Sequence, residues 1–443
     1  MRRVRSRALI TLCIAAFLLL GLVLFSVRYV TQGRDWVGFF GSTYFENGAI
    51  YDRNGVLLYD GETGGYAEGK AVRQSTMHLV GDRNIATSLR NVMGGQLSGY
   101  NPVTGTALGG HDLYLSIDAD LNETAYAALK GHKGVVALYN YRTGEILCLV
   151  SAPSFDPANP PSAAALEEPR YEGVYLNRFF SSTFTPGSIF KIVTTAAVLE
   201  RKADWGTWRY TCTGRLEIDG QTITCPSVHG ADLTLEQAFA RSCNCAYAQL
   251  ALDLGGERLQ SYTRQGGLLS PVEISGIQTA TGSFAVGEAG SGDLGWSGSG
   301  QYHDMISPAT FLMMLGGIAN DGNAVVPTLL HRETISGSKV PGALGEGRSQ
   351  QGIWKAETCR LLKEMMRNNV VETYGQKQFG DLPVCAKSGT AEVGSGAPHA
   401  WFAGFVDDEK TPLAFLVLVE NGGSGASVAG SIAAKLLKAA TAS

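Results

Sequence analysis

The chain has 443 residues, of which 44% are hydrophobic and 17% are charged, and its formal net charge is −4. This balance excludes an intrinsically disordered chain, which has fewer apolar residues and a larger net charge. It also lacks the excess of basic residues that nucleic-acid-binding proteins carry, so no nucleic-acid partner is expected. The length suffices for about two or three domains of ordinary size.

The N-terminus carries one long apolar segment. The twenty residues Ala8–Val27 contain no charge, and a helix of that length spans about 30 Å, the thickness of a bilayer core. Four arginines precede it: Arg2, Arg3, Arg5 and Arg7. The positive-inside rule therefore predicts a cytoplasmic tail at residues 1–7, a single transmembrane anchor at residues 8–28 and an extracellular body. The alternative is a cleaved signal peptide, but its apolar core is usually only about 7–15 residues long.

The region after the anchor has the pattern of a small, irregular β-rich domain. Asn54-Gly55 stands between β-prone residues and is a strong signal for a hairpin turn. Short apolar pieces interrupted by glycine continue from there. We therefore expect a small pedestal domain at residues 45–110 and one larger domain at residues 111–443.

The larger domain shows strand patterns near both of its ends and helical patterns between them. The strands are predicted at Leu113–Ile117, Gly134–Tyr139, Ile146–Ser151, Leu382–Glu392, His399–Val406 and Leu413–Glu420. Helices are predicted at Ala119–Leu129, within Ser188–Leu254, around Ala309–Ala319 and at Ser424–Ala440. Because tight turns join neighbouring strands, we expect one antiparallel sheet covered by helices, an α+β fold.

Eight cysteines are too few for a disulfide scaffold in a chain of this length. Cys13 lies in the apolar segment, and Cys212 and Cys225 flank a predicted hairpin with its turn at Asp219-Gly220. A Cys212–Cys225 disulfide is therefore one hypothesis. The other five read as small core residues: Cys148, Cys243, Cys245, Cys359 and Cys385. Neither a CxxC pair nor a histidine spacing indicates zinc, so no metal site is expected.

A first candidate for catalysis lies at the start of a predicted helix. Ser188 follows Pro186-Gly187, and Lys191 comes three residues later, on the same helical face as the serine. A serine beside a lysine that has lost its proton can act as a nucleophile with its base. The same SxxK pattern is also typical of a serine that caps a helix and is followed by a surface lysine.

Two further segments carry polar groups in less specific patterns. Ser242-Cys243-Asn244 stands between two helical patterns and taken alone reads as a helix junction. Lys387-Ser388-Gly389-Thr390 begins a strand pattern, and it offers a cation, two hydroxyls and a glycine that lets a ligand approach the backbone. Taken alone, this segment reads as an exposed strand end.

Together the SxxK, SxN and KSG motifs are the active-site set of penicillin-binding proteins and serine β-lactamases. The chain resembles the class B, monofunctional penicillin-binding proteins, which are peptidoglycan D,D-transpeptidases. The likeness extends to Gly48–Gly55, His229-Gly230, Ala319–Gly322 and Trp401–Phe405. It implies a penicillin-binding transpeptidase domain with a five-stranded antiparallel sheet. Similar proteins more often have KTG than KSG, but Ser388 keeps the hydroxyl.

The resemblance also implies the steps of the reaction. Ser188 attacks the carbonyl of a D-Ala-D-Ala stem peptide while Lys191 removes its proton, Ser242 relays the proton to the leaving D-alanine, and Asn244 holds the peptide amide. β-Lactams acylate the same serine. No cofactor and no metal are implied.

Binding of the charged groups of the substrate is implied in the same way. The backbone N–H groups of Ser188 and Thr390 form the oxyanion hole, and the terminal carboxylate is held by Lys387, Ser388, Gly389 and Thr390. A glycine-rich segment that ends at Ser299-Gly300-Gln301 is expected at the lip of the cleft, and His229 and His399 are expected in core or rim positions.

Three alternatives remain at the level of function. A membrane-anchored serine β-lactamase and a β-lactam sensor share the motifs, although no catalytic glutamate for fast deacylation can be identified. A bifunctional enzyme is disfavoured, because about 80 residues between anchor and catalytic domain are fewer than a second domain needs. A separate polytopic glycosyltransferase in the plasma membrane is therefore the expected partner.

Overall fold

The computed structural model describes residues 2–41, 48–82, 84–101, 106–107, 109–335, 338–339, 350–394 and 396–442. Its α-helices are α1 (Arg2–Gly41), α2 (Lys70–Val80), α3 (Leu89–Val92), α4 (Gly94–Ser98), α5 (Ala119–Ala128), α6 (Ala163–Leu166), α7 (Arg178–Ser181), α8 (Lys191–Arg201), α9 (Leu235–Ala240), α10 (Asn244–Leu254), α11 (Gly256–Gln265), α12 (Gly292–Ser297), α13 (Pro308–Ala319), α14 (Ala356–Asn369) and α15 (Gly430–Ala440).

The strands are β1 (Ile50–Tyr51), β2 (Leu57–Tyr59), β3 (Tyr100–Asn101), β4 (Thr106–Ala107), β5 (His111–Leu115), β6 (Gly134–Asn140), β7 (Ile146–Ala152), β8 (Tyr210–Cys212), β9 (Arg215–Ile218), β10 (Gln221–Thr224), β11 (Gly230–Leu233), β12 (Glu273–Ile274), β13 (Ile277–Gln278), β14 (Asn323–Val325), β15 (Leu330–Ile335), β16 (Ser338–Lys339), β17 (Gln350–Gly352), β18 (Val384–Ala391), β19 (His399–Val406) and β20 (Leu413–Val419).

Helix α1 contains the apolar segment. Its part Arg7–Val30 is long and apolar enough to cross a membrane, and none of it is buried against the rest of the described protein. Large apolar side chains such as Phe17 and Leu12 are 80% and 72% exposed. Such a surface is unfavourable in water and matches the hydrocarbon interior of a bilayer. The structure thus confirms the predicted apolar helix.

The predicted central sheet is present, with five antiparallel strands in the order β18-β19-β20-β6-β7. Strands β6 and β7 form one group in the sequence, and β18, β19 and β20 form the other. The pairing of β20 with β6 in the middle of the sheet joins the two groups. The predicted α+β fold with a five-stranded antiparallel sheet is therefore confirmed, but the predicted strand Leu113–Ile117 corresponds to β5, which belongs to a second sheet.

Both faces of this sheet are buried, which explains why its strands are almost continuously apolar. Val136 and Leu138 of β6 face a core that includes residues of α5 and α15. Val135 and Ala137, one residue out of step, face a second core with residues of α8 and α13. This alternation is the two-residue period of a strand, so each face receives its own set of side chains.

The N-terminal region differs from the predicted β-rich domain. Its hairpin β1–β2 has the expected turn, with Gly55 at φ +88°. Much of the remaining described region is helical, in α2, α3 and α4. The hairpin also joins a sheet in the order β16-β15-β5-β1-β2, whose strands β5, β15 and β16 come from beyond residue 110. Long-range strand pairing, which local patterns do not reveal, therefore ties this region to the larger one. Residues 45–47, 83, 102–105 and 108 of the expected domain lie outside the described part.

Candidate active site

Ser188 stands in a tight turn between the apolar sheet and helix α8. A 3-10 turn covers Gly187–Phe190, and α8 begins at Lys191. Gly187 has φ +55°, and a Cβ on it would lie 2.7 Å from the carbonyl oxygen of Thr390. Only glycine fits this contact without strain, because a side chain would meet backbone in a left-handed conformation. The turn therefore presses the nucleophile motif against the end of β18.

Lys191 is fully buried, and it contacts Ser188 of its own motif and both polar residues of the SxN motif. Its Nζ lies 2.7 Å from Oγ of Ser188, 2.8 Å from Oδ1 of Asn244 and 3.4 Å from Oγ of Ser242. Burial lowers the pKa of Lys191 well below its ordinary value, and the positive charge of Lys387 lowers it further. A lysine that readily loses its proton can accept one from the hydroxyl of Ser188.

Ser242 and Asn244 lie at the junction between α9 and α10. The capping box of Thr234 and Gln237 fixes the start of α9, and Ser242 then turns the chain with φ +54°. A serine in this region of φ is uncommon and carries strain that is characteristic of functional sites. Asn244 donates through Nδ2 to the carbonyl oxygen of Thr224 at 2.8 Å, so the junction is also tied to β10.

Lys387 is the second fully buried lysine of the site. It lies in β18, and its Nζ donates to Oγ of Ser242 at 3.1 Å and to the carbonyl oxygen of Ser388 at 3.0 Å. Burial lowers the pKa of Lys387 to about 7. The aromatic ring of Phe239 lies below the ammonium group, with its centroid at 5.8 Å, which partly offsets the loss of water.

These contacts form one continuous hydrogen-bonded chain from Ser188 through Lys191 and Ser242 to Lys387. The structure thus brings together the residues of three motifs that are 51 and 145 residues apart. Such a chain can take a proton from the Ser188 hydroxyl and pass it, through Lys191 and Ser242, to a group bound beside Ser242.

A cleft of about 460 Å³ opens over this chain. Its lining residues are Ser188, Thr224, Cys225, Pro226, Arg241, Ser242, Asn244, Trp296, Gln301, Ser388, Thr390 and Glu392. Gln301 also donates to the carbonyl oxygen of Thr390 at 3.4 Å. The glycine-rich segment that ends at Gln301 therefore forms part of the lip, as its sequence predicts.

Tyr374 is a contributor to the site that the motifs do not reveal. Its hydroxyl accepts a hydrogen bond from the backbone N–H of Ser388 at 2.9 Å and lies 3.0 Å from the Oγ of the same residue. Tyr374 is thus placed to orient the Ser388 side chain. No local signal marks it, because it lies outside the three motifs in a π-helical segment, Val370–Tyr374.

The predicted hairpin between Cys212 and Cys225 is present as β9 and β10, with Asp219 and Gly220 at φ +47° and +76°. The two sulfur atoms lie 3.8 Å apart, and both cysteines are free thiols in the structure. The hypothetical disulfide is therefore not formed here.

His399 lies at the rim of the sheet, where its Nδ1 accepts a hydrogen bond from the backbone N–H of Asn421 at 3.1 Å.

Comparison with known proteins agrees with this geometry. The model of the penicillin-binding protein transpeptidase domain matches residues 134–438. The peptidoglycan D,D-transpeptidase PbpA of Mycolicibacterium smegmatis is 30% identical over 365 residues, which are 76% of this chain and 73% of that protein.

Solved structures give the same result. Penicillin-binding protein A from M. tuberculosis, as a ceftriaxone acyl-enzyme complex, superposes with a TM-score of 0.79 and 25% identity over 90% of this chain and 99% of that one. A chain from a peptidoglycan synthase complex, described for its coordination of polymerization and crosslinking, superposes with a TM-score of 0.63 and 26% identity over 74% of this chain and 63% of that one. The chain therefore belongs to the family of penicillin-binding proteins with a transpeptidase domain.

Proposed function

We propose that this protein is a serine-type peptidoglycan D,D-transpeptidase that cross-links stem peptides through an acyl-enzyme on Ser188. The observation that carries the proposal is the 2.7 Å approach of the buried Lys191 amine to the Ser188 hydroxyl. Burial favours the neutral amine, which is the form that a general base requires. The transpeptidase names of the relatives and the acyl-enzyme of the structural neighbour support the same reaction.

In the first half-reaction, Ser188 Oγ attacks the carbonyl carbon of the penultimate D-alanine and Lys191 takes the hydroxyl proton. The tetrahedral oxyanion is placed between the backbone N–H groups of Ser188 and Thr390, which are the proposed oxyanion hole. Collapse breaks the peptide bond, and Ser242 passes a proton to the nitrogen of the leaving D-alanine. Lys387, which contacts the Ser242 hydroxyl, keeps this relay oriented.

Recognition of the substrate uses the opposite wall of the cleft. Lys387 supplies the positive charge, and Ser388 and Thr390 supply hydroxyl donors for the terminal carboxylate. A Cβ on Gly389 would lie 3.0 Å from Ile189 and from the Pro186 carbonyl oxygen, so the absence of a side chain lets β18 pack closely against the turn that carries Ser188. Asn244 donates one of its two amide protons to the carbonyl oxygen of Thr224. Its second amide proton remains as a donor for the carbonyl of the substrate's peptide amide.

In the second half-reaction, the amine of another stem peptide attacks the carbonyl carbon of the acyl-enzyme and gives a proton to Lys191. The ester bond to Ser188 Oγ then breaks, the new amide bond remains, and Lys191 returns the proton to Ser188 Oγ. A β-lactam acylates the same serine, but its ring-opened leaving group remains attached and blocks the acceptor. β-Lactams are therefore expected to inhibit the protein covalently.

The proposed topology places the chemistry outside the plasma membrane. Residues 1–7 lie in the cytoplasm and residues 8–28 form the anchor. Residues 45–110 form a small pedestal domain whose sheet also takes β5, β15 and β16 from the segment 111–443, and the rest of that segment forms the transpeptidase domain. The charge of the N-terminal arginines supports this orientation. The glycan strands come from a separate polytopic glycosyltransferase, a partnership supported by the similarity to the synthase-complex chain.

Covalent labelling with a fluorescent penicillin tests the proposal. The wild-type chain should form a stable adduct on Ser188, and Ser188→Ala should abolish it, while the exposed helix residue change Ser431→Ala leaves it unchanged. An adduct that forms on Ser188→Ala contradicts the assignment. Release of the wild-type adduct within seconds would instead identify a β-lactamase, because a transpeptidase lacks fast hydrolytic deacylation.

A further inference from the structure

Behind the SxN motif, the fold gathers four metal-ligating side chains that are scattered in sequence. Cys212 ends β8, Cys225 follows β10, His229 precedes β11, and Cys243 is the central residue of the Ser242-Cys243-Asn244 motif. Their Sγ atoms and the ring nitrogen of the histidine all lie within 4.8 Å of one another. None of them has a part in the proposed acyl transfer.

Three of the six distances between the ligand atoms of this cluster match the edges of a tetrahedral site. Sγ of Cys212 and Sγ of Cys225 are 3.8 Å apart, Cys225 and Cys243 are 3.7 Å apart, and Cys212 lies 3.4 Å from Nδ1 of His229. Around a zinc ion with Zn–S near 2.3 Å and Zn–N near 2.0–2.1 Å, tetrahedral edges are about 3.8 Å between sulfurs and about 3.5 Å between sulfur and nitrogen. The ligand atoms thus need little rearrangement.

The surroundings of the sulfurs are also suited to thiolates. The backbone N–H of Ala246 donates to Sγ of Cys243 at 3.4 Å, and the backbone N–H of Cys245 donates to Sγ of Cys225 at 3.4 Å. Both N–H groups belong to the first turn of α10, where the helix dipole favours negative charge. Arg241 donates to the carbonyl oxygen of His229 at 2.7 Å and so fixes the loop that carries the imidazole.

We propose that Cys212, Cys225, His229 and Cys243 bind one structural Zn²⁺ ion that holds the SxN motif in place. Three thiolates and one imidazole with no open position are a donor set typical of structural zinc. Binding releases the thiol protons of the three cysteines to solvent and involves no change of oxidation state. Cys225 and His229 are only half-buried, so the ion has a path of entry.

Cys245 is close to the site but is not one of its ligands. Its Sγ lies 3.4 Å from Sγ of Cys225 and donates to the carbonyl oxygen of Ile223 at 3.6 Å. This thiol is therefore turned toward the β9–β10 hairpin. It supplies a matched control, since a variant at Cys245 removes a neighbouring thiol without removing a proposed ligand.

The ion would connect four pieces of chain on one side of the catalytic cleft. Cys243 lies between Ser242 and Asn244, and Cys225 follows Thr224, whose carbonyl oxygen accepts the Asn244 side chain. Loss of the metal should therefore loosen Ser242 and Asn244 together. If acylation occurs at Ser188 as proposed, the labelling rate with a fluorescent penicillin should then fall about 10-fold, the size of loss common when a group that orients a site is removed.

Metal content of the full-length chain, purified in detergent under reducing conditions without chelator, tests the site directly. We expect one zinc per wild-type chain and one per Cys245→Ala chain by elemental analysis, and none for Cys212→Ala or His229→Ala. Co²⁺ introduced after chelation should give the visible absorption of a tetrahedral thiolate complex. These readouts do not depend on catalysis, so they separate this proposal from the proposed transpeptidase activity.

Specific outcomes overturn the zinc site. A wild-type chain that stays metal-free after incubation with excess Zn²⁺ contradicts it, as does a Cys212–Cys225 disulfide found by peptide mass mapping of the protein isolated without reductant. Retention of stoichiometric zinc by His229→Ala contradicts the ligand set. Since Cys212 is buried and its variant can fail to fold, the half-exposed His229 variant, checked by circular dichroism, keeps the test decisive.

Discussion

At the scale of single residues, the main feature of the site is a pair of lysines that burial has removed from contact with water. Lys191 and Lys387 are both fully buried, and each has a pKa below its ordinary value because burial penalises the charged form. The two amines are linked through the hydroxyl of Ser242. Function here requires an arrangement that costs folding free energy.

This cost leads to a prediction for Lys387→Met. The folded pKa of about 7 lies below the unfolded value of 10.5, so the unfolded chain binds the extra proton between these values. The penalty is therefore complete below about pH 7 and fades as the pH rises toward 10.5. Lys387→Met should raise the free energy of unfolding by about 1–3 kcal/mol at neutral pH and abolish penicillin labelling.

Thermal unfolding at several pH values provides the measurement. The stabilisation of Lys387→Met over wild type should shrink as the pH rises from 7 to 10 (roughly the folded and unfolded titration range). A variant that is less stable than wild type at neutral pH would show that the hydrogen bonds of Lys387 outweigh its desolvation.

Gly187→Ala should impair the site by a purely steric route. The new Cβ would meet the carbonyl oxygen of Thr390 at 2.7 Å in a backbone with φ +55°, which costs about 1–3 kcal/mol of strain. Because the clash separates the nucleophile turn from β18, labelling by penicillin should fall at least tenfold.

Gly64→Ala is the matched control for this change. Gly64 also has a positive φ, +70°, but nothing lies within 4 Å of its Cβ position. The Gly64→Ala variant should therefore lose stability from the strained backbone at residue 64 but keep the wild-type rate of penicillin labelling. Equal labelling by both variants would refute a role for the close contact at Gly187.

At the scale of elements, the ends of helical segments position the groups of the proposed catalytic site. Helix α9 is six residues long and is too short to be stable by itself. Its capping box and its packing against the core stabilise the helix. Ser242 follows its C-terminal end. Similarly, the π-helical segment after α14 ends at Tyr374 and places its hydroxyl in hydrogen-bond contact with the backbone N–H of Ser388.

Thr234→Ala tests the contribution of the capping box. The Thr234 side chain accepts from the backbone N–H of Gln237, and loss of such a cap costs about 1 kcal/mol. We expect a reduced free energy of unfolding in denaturant and a modest fall in the labelling rate. Thr207→Ala in an exposed turn should change stability by less than about 0.5 kcal/mol. Identical unfolding curves for the two variants would show that the cap does not contribute.

At the scale of the whole molecule, the chain combines an apolar N-terminal helix, the proposed bilayer anchor, with a second sheet that joins the N-terminal hairpin to the larger domain. Arg7–Val30 is apolar and unburied, whereas the hairpin β1–β2 is built into a sheet with β5 and β15. The anchor should therefore be dispensable for folding, and the N-terminal hairpin should not be.

Deletion of residues 2–30 tests this division. The truncated chain should leave the membrane fraction and still label with penicillin, because the lining of the cleft runs from Ser188 to Glu392 and the span Arg7–Val30 is not buried against the described protein. Deletion of residues 2–60 should reduce the soluble yield and labelling, since it removes both strands of the hairpin. Membrane association that survives the shorter deletion at high salt would contradict an anchor confined to α1.

The sequence determined those properties that depend on local pattern. The apolar anchor, the strands of the central sheet, the β9–β10 hairpin and the three motifs follow from the types and spacing of neighbouring residues. The boundary at residue 110 was less well defined, because the pairing of β1 with β5 and of β5 with β15 joins distant segments. Tyr374 has no local signal for the same reason. In the cysteine–histidine cluster, the sequence marks only the Cys212–Cys225 pair at the hairpin and gives no sign of His229 and Cys243 as their neighbours.

Only the tertiary structure decided the chemistry of the motifs. A lysine three residues after a serine is usually a solvated charge. Lys191 can serve as the proposed base because it is buried beside Ser242, 51 residues away, and because the charge of Lys387, 196 residues away, lowers its pKa further. Desolvation and hydrogen-bond distance are properties of packing rather than of residue identity. The sequence therefore named the groups that take part, while the fold set their protonation and their contacts.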